Sequence, residues 1–186
     1  MVADLLRCAG VAICPTDTVY ALICALSSKK AYEELLRIKG VREKDANLSL
    51  VLPNLSTLAD YAKVDNQIFK VLKQNLPGAF TFILNASGKV PDKLLSRRKS
   101  IGVRIPDNKI VMAILEQLGC PLLITSIKSS DEVTEYITDP EELHEQYAKR
   151  VNVVVDGGVG GNVPSTIVDC TTQPYELVRE GKGILI

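Results

Sequence analysis

The sequence holds a single histidine, His144, and it sits in a polar stretch over residues 141–150. A zinc site built on imidazoles and a histidine-based catalytic triad both need more than this supplies, so no resident metal is expected. No CxxC pair occurs either. The five cysteines (Cys8, Cys14, Cys24, Cys120 and Cys170) are odd in number and lie mostly in apolar runs. They read as buried thiols of a reducing compartment, which predicts a cytoplasmic protein. Net charge is missing too: Lys plus Arg and Asp plus Glu number 22 each. The chain as a whole therefore exerts no pull on nucleic acid, and any RNA contact requires a local patch. No apolar run approaches the roughly 18 residues of a membrane span. Residues 1–10 also lack the basic start and long apolar stretch of a signal peptide. Internal repeats, low-complexity tracts and long linkers are likewise lacking.

What is present is an ordinary globular balance, 46% hydrophobic and 24% charged over 186 residues, which predicts one domain across 1–186. Helical spacing of apolar residues predicts a helix over 2–8. Apolar, β-branched runs predict strands at 11–14, 19–26, 48–52, 80–84, 101–105, 122–125, 151–156, 166–170 and 176–179. Ser27 is expected to cap a helix over 29–39 that Gly40 stops. Short helices are expected over 54–61 and 66–75. Another is expected from a cap at Asp107 or Asn108 to 117, closed by Gly119 and Pro121, and a last one over 140–149. Many short strands alternating with about five helices indicate an α/β (α+β) fold on a twisted sheet.

Polar clusters interrupt the apolar runs at the ends of predicted elements, where a sheet presents side chains to a ligand. Pro15-Thr16-Asp17-Thr18-Val19-Tyr20 is either a self-satisfied Asx or Ser/Thr turn or a ligand loop. Lys39-Gly40-Val41-Arg42 either complements a helix dipole or clamps phosphates. Arg104, between Val103 and Ile105, needs an anion, and the sequence leaves open whether an internal or a ligand carboxylate supplies it. Thr125-Ser126-Ile127-Lys128-Ser129-Ser130 is a hydroxyl-rich strand end. Arg97-Arg98-Lys99 is a basic run that either lies on a solvated surface or tracks a phosphate backbone.

Taken in order, these clusters resemble the YrdC/YciO family. The match also draws on Leu76-Pro77-Gly78, Phe80-Thr81-Phe82-Ile83-Leu84, Ile101-Gly102-Val103-Arg104-Ile105-Pro106, Pro164-Ser165-Thr166-Ile167-Val168-Asp169 and Val178-Arg179-Glu180-Gly181. The resemblance implies a YrdC-like, mostly parallel twisted sheet with a large concave face. It also implies chemistry like that of threonylcarbamoyl-AMP synthases, which build threonylcarbamoyl-adenylate from threonine, bicarbonate and ATP for a modified adenosine of tRNA. By that resemblance Lys39, Arg42 and Ser126 would meet the ATP phosphates as the catalytic group, and Arg179 would sit at the nucleotide. Thr18, Arg104 and Ser165 would hold threonine, with Arg104 on its carboxylate, and magnesium would ride mainly on the phosphates. Val41 departs from the synthase pattern as an extra residue between Lys39 and Arg42. Ala21, Asn47-Leu48, Ile127-Lys128 after Thr125-Ser126, and the run Phe80-Thr81-Phe82-Ile83-Leu84 bring the chain nearer the YciO-type branch. Tyr61, Asp65, Asn66 and Phe69 point the same way. The alternative function implied for that branch is non-catalytic binding of tRNA or double-stranded RNA, with Arg97, Arg98, Lys99 and Lys128 as the contacts.

Overall fold

Val11–Cys14 (β1) and Ala21–Ala25 (β2) are apolar at every position and buried at every position, the pattern of strands covered on both faces. In the computed structural model, which describes residues 1–95, 99–127 and 136–186, these two begin a single sheet. Its other strands are Ser49–Val51 (β3), Phe80–Asn85 (β4), Ser100–Arg104 (β5), Leu122–Ser126 (β6), Val153–Val154 (β7), Thr166–Asp169 (β8) and Glu176–Arg179 (β9). The spatial order is β7-β1-β2-β6-β3-β5-β4-β8-β9. The helices are Val2–Arg7 (α1), Lys29–Lys39 (α2), Leu58–Tyr61 (α3), Asn66–Asn75 (α4), Lys109–Leu118 (α5) and Pro140–Tyr147 (α6).

The α/β class holds, but among the described residues the pairings are mixed where a mostly parallel sheet was expected. β1 with β7, β3 with β5 and β4 with β8 are parallel; the remaining five neighbours are antiparallel. Chain length explains part of this, because a parallel neighbour needs a crossover of a dozen or more residues. The loop over 15–20 between β1 and β2, and that over 170–175 between β8 and β9, are too short for one.

Strand alternation sorts the side chains onto two faces. On one face Val11, Ile13, Leu22, Cys24, Leu50, Phe80, Phe82, Leu84, Ile101, Val103 and Leu123 join the apolar faces of α2, α4 and α6 in the larger core. On the other face Ala12, Cys14, Ala21, Ile23, Ala25, Val51, Leu122 and Ile124 pack with α1 and α5. The small Ala and Cys side chains there let the two helices lie close to the sheet. The same face continues across β3, β5 and β4, but there it carries Ser49, Thr81, Gly102 and Arg104. A Cβ built on Gly102 would meet Ser49 Oγ at 2.6 Å and Thr81 Cγ2 at 3.1 Å, so these positions share one polar floor.

Helix ends follow the local chemistry. Gly40, with φ 71°, closes α2 in the left-handed conformation that only glycine adopts without cost. Ser28, not Ser27 as expected, caps α2: its side chain accepts from the Ala31 amide. At α5 the choice between Asp107 and Asn108 falls to Asn108, whose side chain accepts from the amides of Ile110 and Val111.

The connection from β7 to β8 determines the shape. β7 stands first and β8 eighth in the sheet, and only residues 155–165 join them. Flat, seven spacings of about 4.8 Å would put the strands roughly 34 Å apart, close to the ~40 Å that the connection reaches at full stretch. It is not stretched: it bends at Gly158, with φ 79°. The sheet must therefore curl, with this strap drawn across its hollow side. On the way the strap presses on the β1–β2 loop. A Cβ on Gly157 would meet Pro15 at 2.6 Å, one on Gly160 the Tyr20 ring at 2.6 Å, and one on Gly161 the Thr18 carbonyl oxygen at 2.1 Å. Tyr20 fastens it, donating from its hydroxyl to Gly158 O (2.8 Å) and accepting from Gly157 N (3.1 Å).

Candidate functional site

Arg104 closes β5 on the polar floor, 7% exposed. Its Nη2 donates to Asp17 Oδ1 at 2.9 Å and to Thr18 Oγ1 at 3.1 Å. The internal carboxylate left open by the sequence is thus Asp17, whose second oxygen accepts from the Asp107 amide at 3.1 Å just before α5. Arg104 Nε is buried with no hydrogen-bond partner. Burial lowers the pKa of Arg104 from its ordinary range; the Asp17 charge opposes this, and the neighbouring Arg179 adds to it.

The β1–β2 loop is internally tied. Thr16 Oγ1 accepts from the Thr18 amide (3.1 Å), lies 3.0 Å from Thr18 Oγ1 and donates to Val19 O (2.7 Å). Both readings of this loop therefore have a physical counterpart. It is a Ser/Thr turn, and the same turn points the buried Thr18 hydroxyl at Arg104. Lys182 adds a cation from the C-terminal segment, donating to Asp17 O at 2.6 Å.

Ser165, at the end of the strap, is buried and shares a 2.8 Å hydrogen bond with Thr81 Oγ1 of β4. Arg179 of β9 donates to Ser165 O through Nε (3.1 Å) and Nη2 (2.7 Å), and Nη2 also reaches Ser165 Oγ (3.3 Å). Arg179 is half-buried and has no carboxylate partner among the described residues. Thr18, Arg104, Ser165 and Arg179 are therefore brought into one neighbourhood, with Asp17, Thr81 and Lys182 as members the sequence reading did not single out. Thr81 could have been found from its pattern, as a lone hydroxyl in the run Phe80-Thr81-Phe82-Ile83-Leu84. Lys182 offers no such signal, since only the tertiary fold brings it to Asp17.

The proposed phosphate group is arranged differently. Lys39 Nζ donates to Thr125 Oγ1 and to Ser126 O (3.4 Å), so the lysine is fastened to the end of β6. Alternation sets Thr125 on the α2 side and Ser126 on the α5 side of the strand. Arg42 lies outside this arrangement: past the left-handed turn at Gly40 its side chain is 74% exposed and pairs with Asp45 at 2.8 Å. Val41 and Gly40 together carry it beyond the end of α2. Of the basic residues considered for RNA, Arg97, Arg98 and Lys128 lie outside the described residues. Lys99 is exposed, with φ 54°. Among the described residues no group of three or more histidine, cysteine, aspartate and glutamate side chains is placed to hold a metal ion, and no helix is long and apolar enough to cross a membrane.

Fold and residues together define an α/β protein with a curled, strapped sheet whose hollow side is lined by arginines and hydroxyls. Residues 4–181 match the Sua5/YciO/YrdC family, described as telomere recombination, and the chain belongs to that family. It is 41% identical over 182 residues to the YciO protein of Escherichia coli, covering 97% of this chain and 87% of that one. The crystal structure of E. coli YciO superposes with a TM-score of 0.91 at 39% identity, over 98% of this chain and 88% of that one. A putative threonylcarbamoyl-AMP synthase of Methanocaldococcus jannaschii is 31% identical over 172 residues, 92% of this chain and 79% of its own. The structure of P. abyssi Sua5 complexed with L-threonine matches with a TM-score of 0.88 at 26% identity, over 97% of this chain and 53% of that one.

Proposed function

We propose that this chain binds L-threonine and ATP on its strapped polar floor and joins them, with bicarbonate, in a reaction of the threonylcarbamoyl-AMP synthase type that serves tRNA modification. The observation that carries the reading is the buried, unpartnered Nε of Arg104 beside the hydroxyls of Thr18, Thr81 and Ser165. A buried N–H without an acceptor is costly, and a carboxylate oxygen entering this neighbourhood satisfies it. Asp17 keeps the guanidinium oriented, and Nε would be the donor left for the ligand. The threonine-bound P. abyssi relative supports threonine as that ligand.

In the reaction the threonine nitrogen takes up carbon dioxide equivalent from bicarbonate to form a carbamate, with loss of water. The carbamate oxygen attacks the α-phosphorus of ATP, and pyrophosphate leaves. Positioning and charge neutralisation supply most of the help for such a transfer. Arg179, half-buried without a carboxylate partner among the described residues, would sit at the nucleotide. Lys39 and Ser126 at the end of β6 would serve the outer phosphates, and Arg42 would have to leave Asp45 to join them. Magnesium would be held by phosphate oxygens and would offset their charge.

The test is pyrophosphate release by the pure protein supplied with ATP, magnesium, bicarbonate and threonine. Release that depends on threonine and falls in Arg104→Lys supports the reading. Threonine binding without turnover leaves only the binding half. No heat of threonine binding by calorimetry, together with no threonine-dependent release, overturns it.

A further inference from the structure

Lys182 stands between two glycines that leave the backbone no play. A Cβ on Gly181 would meet the Ser165 carbonyl carbon at 2.6 Å, and one on Gly183 would meet the Phe80 ring at 2.6 Å and Ala79 O at 2.8 Å. Three hydrogen bonds tie the same stretch to the edge of the floor. Gly181 N donates to Thr166 Oγ1 (3.0 Å), Lys182 N donates to Pro164 O (2.8 Å), and Gly183 O accepts from Thr166 Oγ1 (2.6 Å). The backbone is thus pinned beside Ser165, and from there the lysine side chain reaches Asp17 O at 2.6 Å.

The ammonium of Lys182 is exposed, and among the described residues no carboxylate pairs with it; its partner is a neutral carbonyl. The Asp17 carboxylate is already taken by Arg104 and the Asp107 amide. Arg179 gives its donors to Ser165. At this floor Arg104, Arg179 and Lys182 are therefore set against Asp17 alone, three positive charges to one negative. Zwitterionic threonine answers that surplus poorly. Its carboxylate suits Arg104, but its ammonium would enter a field of its own sign. Threonine carbamate carries two carboxylates and no ammonium, so it matches the surplus.

We propose that Lys182 holds the N-carboxylate of threonine carbamate while Arg104 holds the α-carboxylate, so that bicarbonate tightens the binding of threonine to this chain. The proposal rests on the reading of the floor as a threonine site. In the step itself the threonine ammonium gives one proton to solvent, the amine nitrogen bonds the carbon of bicarbonate, and water leaves. The neutral zwitterion and the bicarbonate anion thereby become a dianion and a free proton, and charge balances. Lys182 keeps its own protons throughout and offers a charge and an N–H. Leaving Asp17 O costs it one exposed hydrogen bond to a neutral acceptor, which a charged carboxylate replaces with a stronger one.

The experiment measures threonine binding to the full chain by calorimetry without ATP, in bicarbonate and in chloride at equal ionic strength and pH. Bicarbonate should tighten binding several-fold in the parent, the scale of one charge-assisted hydrogen bond at a partly exposed place. Lys182→Gln should lose that enhancement, and Lys182→Arg, which keeps the charge, should retain most of it. With isotope-labelled bicarbonate and threonine, NMR should show the new bond as a carbon–nitrogen coupling in the parent complex and not in Lys182→Gln. Circular dichroism melting checks that both variants fold. A merely structural lysine would lower threonine affinity in both buffers alike and leave their ratio unchanged, which overturns the inference. Threonine binding that bicarbonate does not tighten in the parent overturns it too, and in both cases the threonine site itself stands. No threonine binding in either buffer overturns both readings.

Discussion

Arg104 and Asp17 are 2.9 Å apart, and each side chain is 8% exposed, so the pair is an interior one. Each partner alone would be an uncompensated charge away from water. Asp17→Ala is therefore expected to cost about 3–5 kcal/mol, readable as a lower urea midpoint with little change in slope. Arg104→Met added to Asp17→Ala should recover much of that loss, because replacing both charges removes the desolvation penalty. A single variant as stable as the parent would mean that the pair is hydrated in solution.

The strap makes its own prediction. An alanine methyl at 161 would sit 2.1 Å from the Thr18 carbonyl oxygen, which is backbone and cannot swing aside. Gly161→Ala should lower stability by about 1–3 kcal/mol and weaken whatever the Thr18 hydroxyl helps to bind. Gly158→Ala, at φ 79° with nothing within 4 Å, should cost about 1–2 kcal/mol through backbone strain alone and spare the ligand. Thermal melts and ligand titrations on both variants separate steric contact from strain.

The thiols give a pH dependence. Burial pushes Cys14 and Cys24 up to about 12 and Cys170 up to about 11 from an ordinary 9.0. Above pH 9 the unfolded chain releases these protons while the folded chain keeps them, so the unfolded state gains and stability falls as pH rises. Melting temperature should drop between pH 8 and roughly 10.5, within the window those shifts define. At pH 8 a thiol reagent should label exposed Cys8 first and reach Cys14, Cys24 and Cys170 only on unfolding. Equal labelling rates for all five thiols would contradict the burial.

Ser28→Ala removes the bond to the Ala31 amide and should cost about 1 kcal/mol. The neighbouring Ser27→Ala should leave urea stability within error. The reverse order would return the cap to Ser27.

The choice between these two serines illustrates what a sequence carries. Every helix and strand lay near its predicted place, because burial on one or both faces writes a period into the chain. A cap depends on one dihedral angle, and adjacent serines offer the same chemistry. Strand pairing was harder to read: β1 and β8 are both legible as four-residue strands, yet their partners are decided by connections elsewhere in the chain. The site was legible as a set of motifs, since Thr18, Arg104, Ser165 and Arg179 do come together. The role of Asp17 as the counter-charge was not, because a carboxylate and an arginine 87 residues apart declare their pairing only in three dimensions. Arg42 stands apart from this group. Its motif was present, but the glycine turn before it sends the side chain outward to Asp45.

The connection over 155–165 behaves as the string of a drawn bow. Its eleven residues tie strands at opposite ends of the sheet order, so the bend of the sheet is set by the length of the cord as well as by its own twist. Because the string is knotted to Tyr20 and laid against Thr18, slack introduced by inserting residues near Val159 would relax the bow and the β1–β2 loop together. Val159 is 83% exposed, so an insertion there adds length without asking the core to make room.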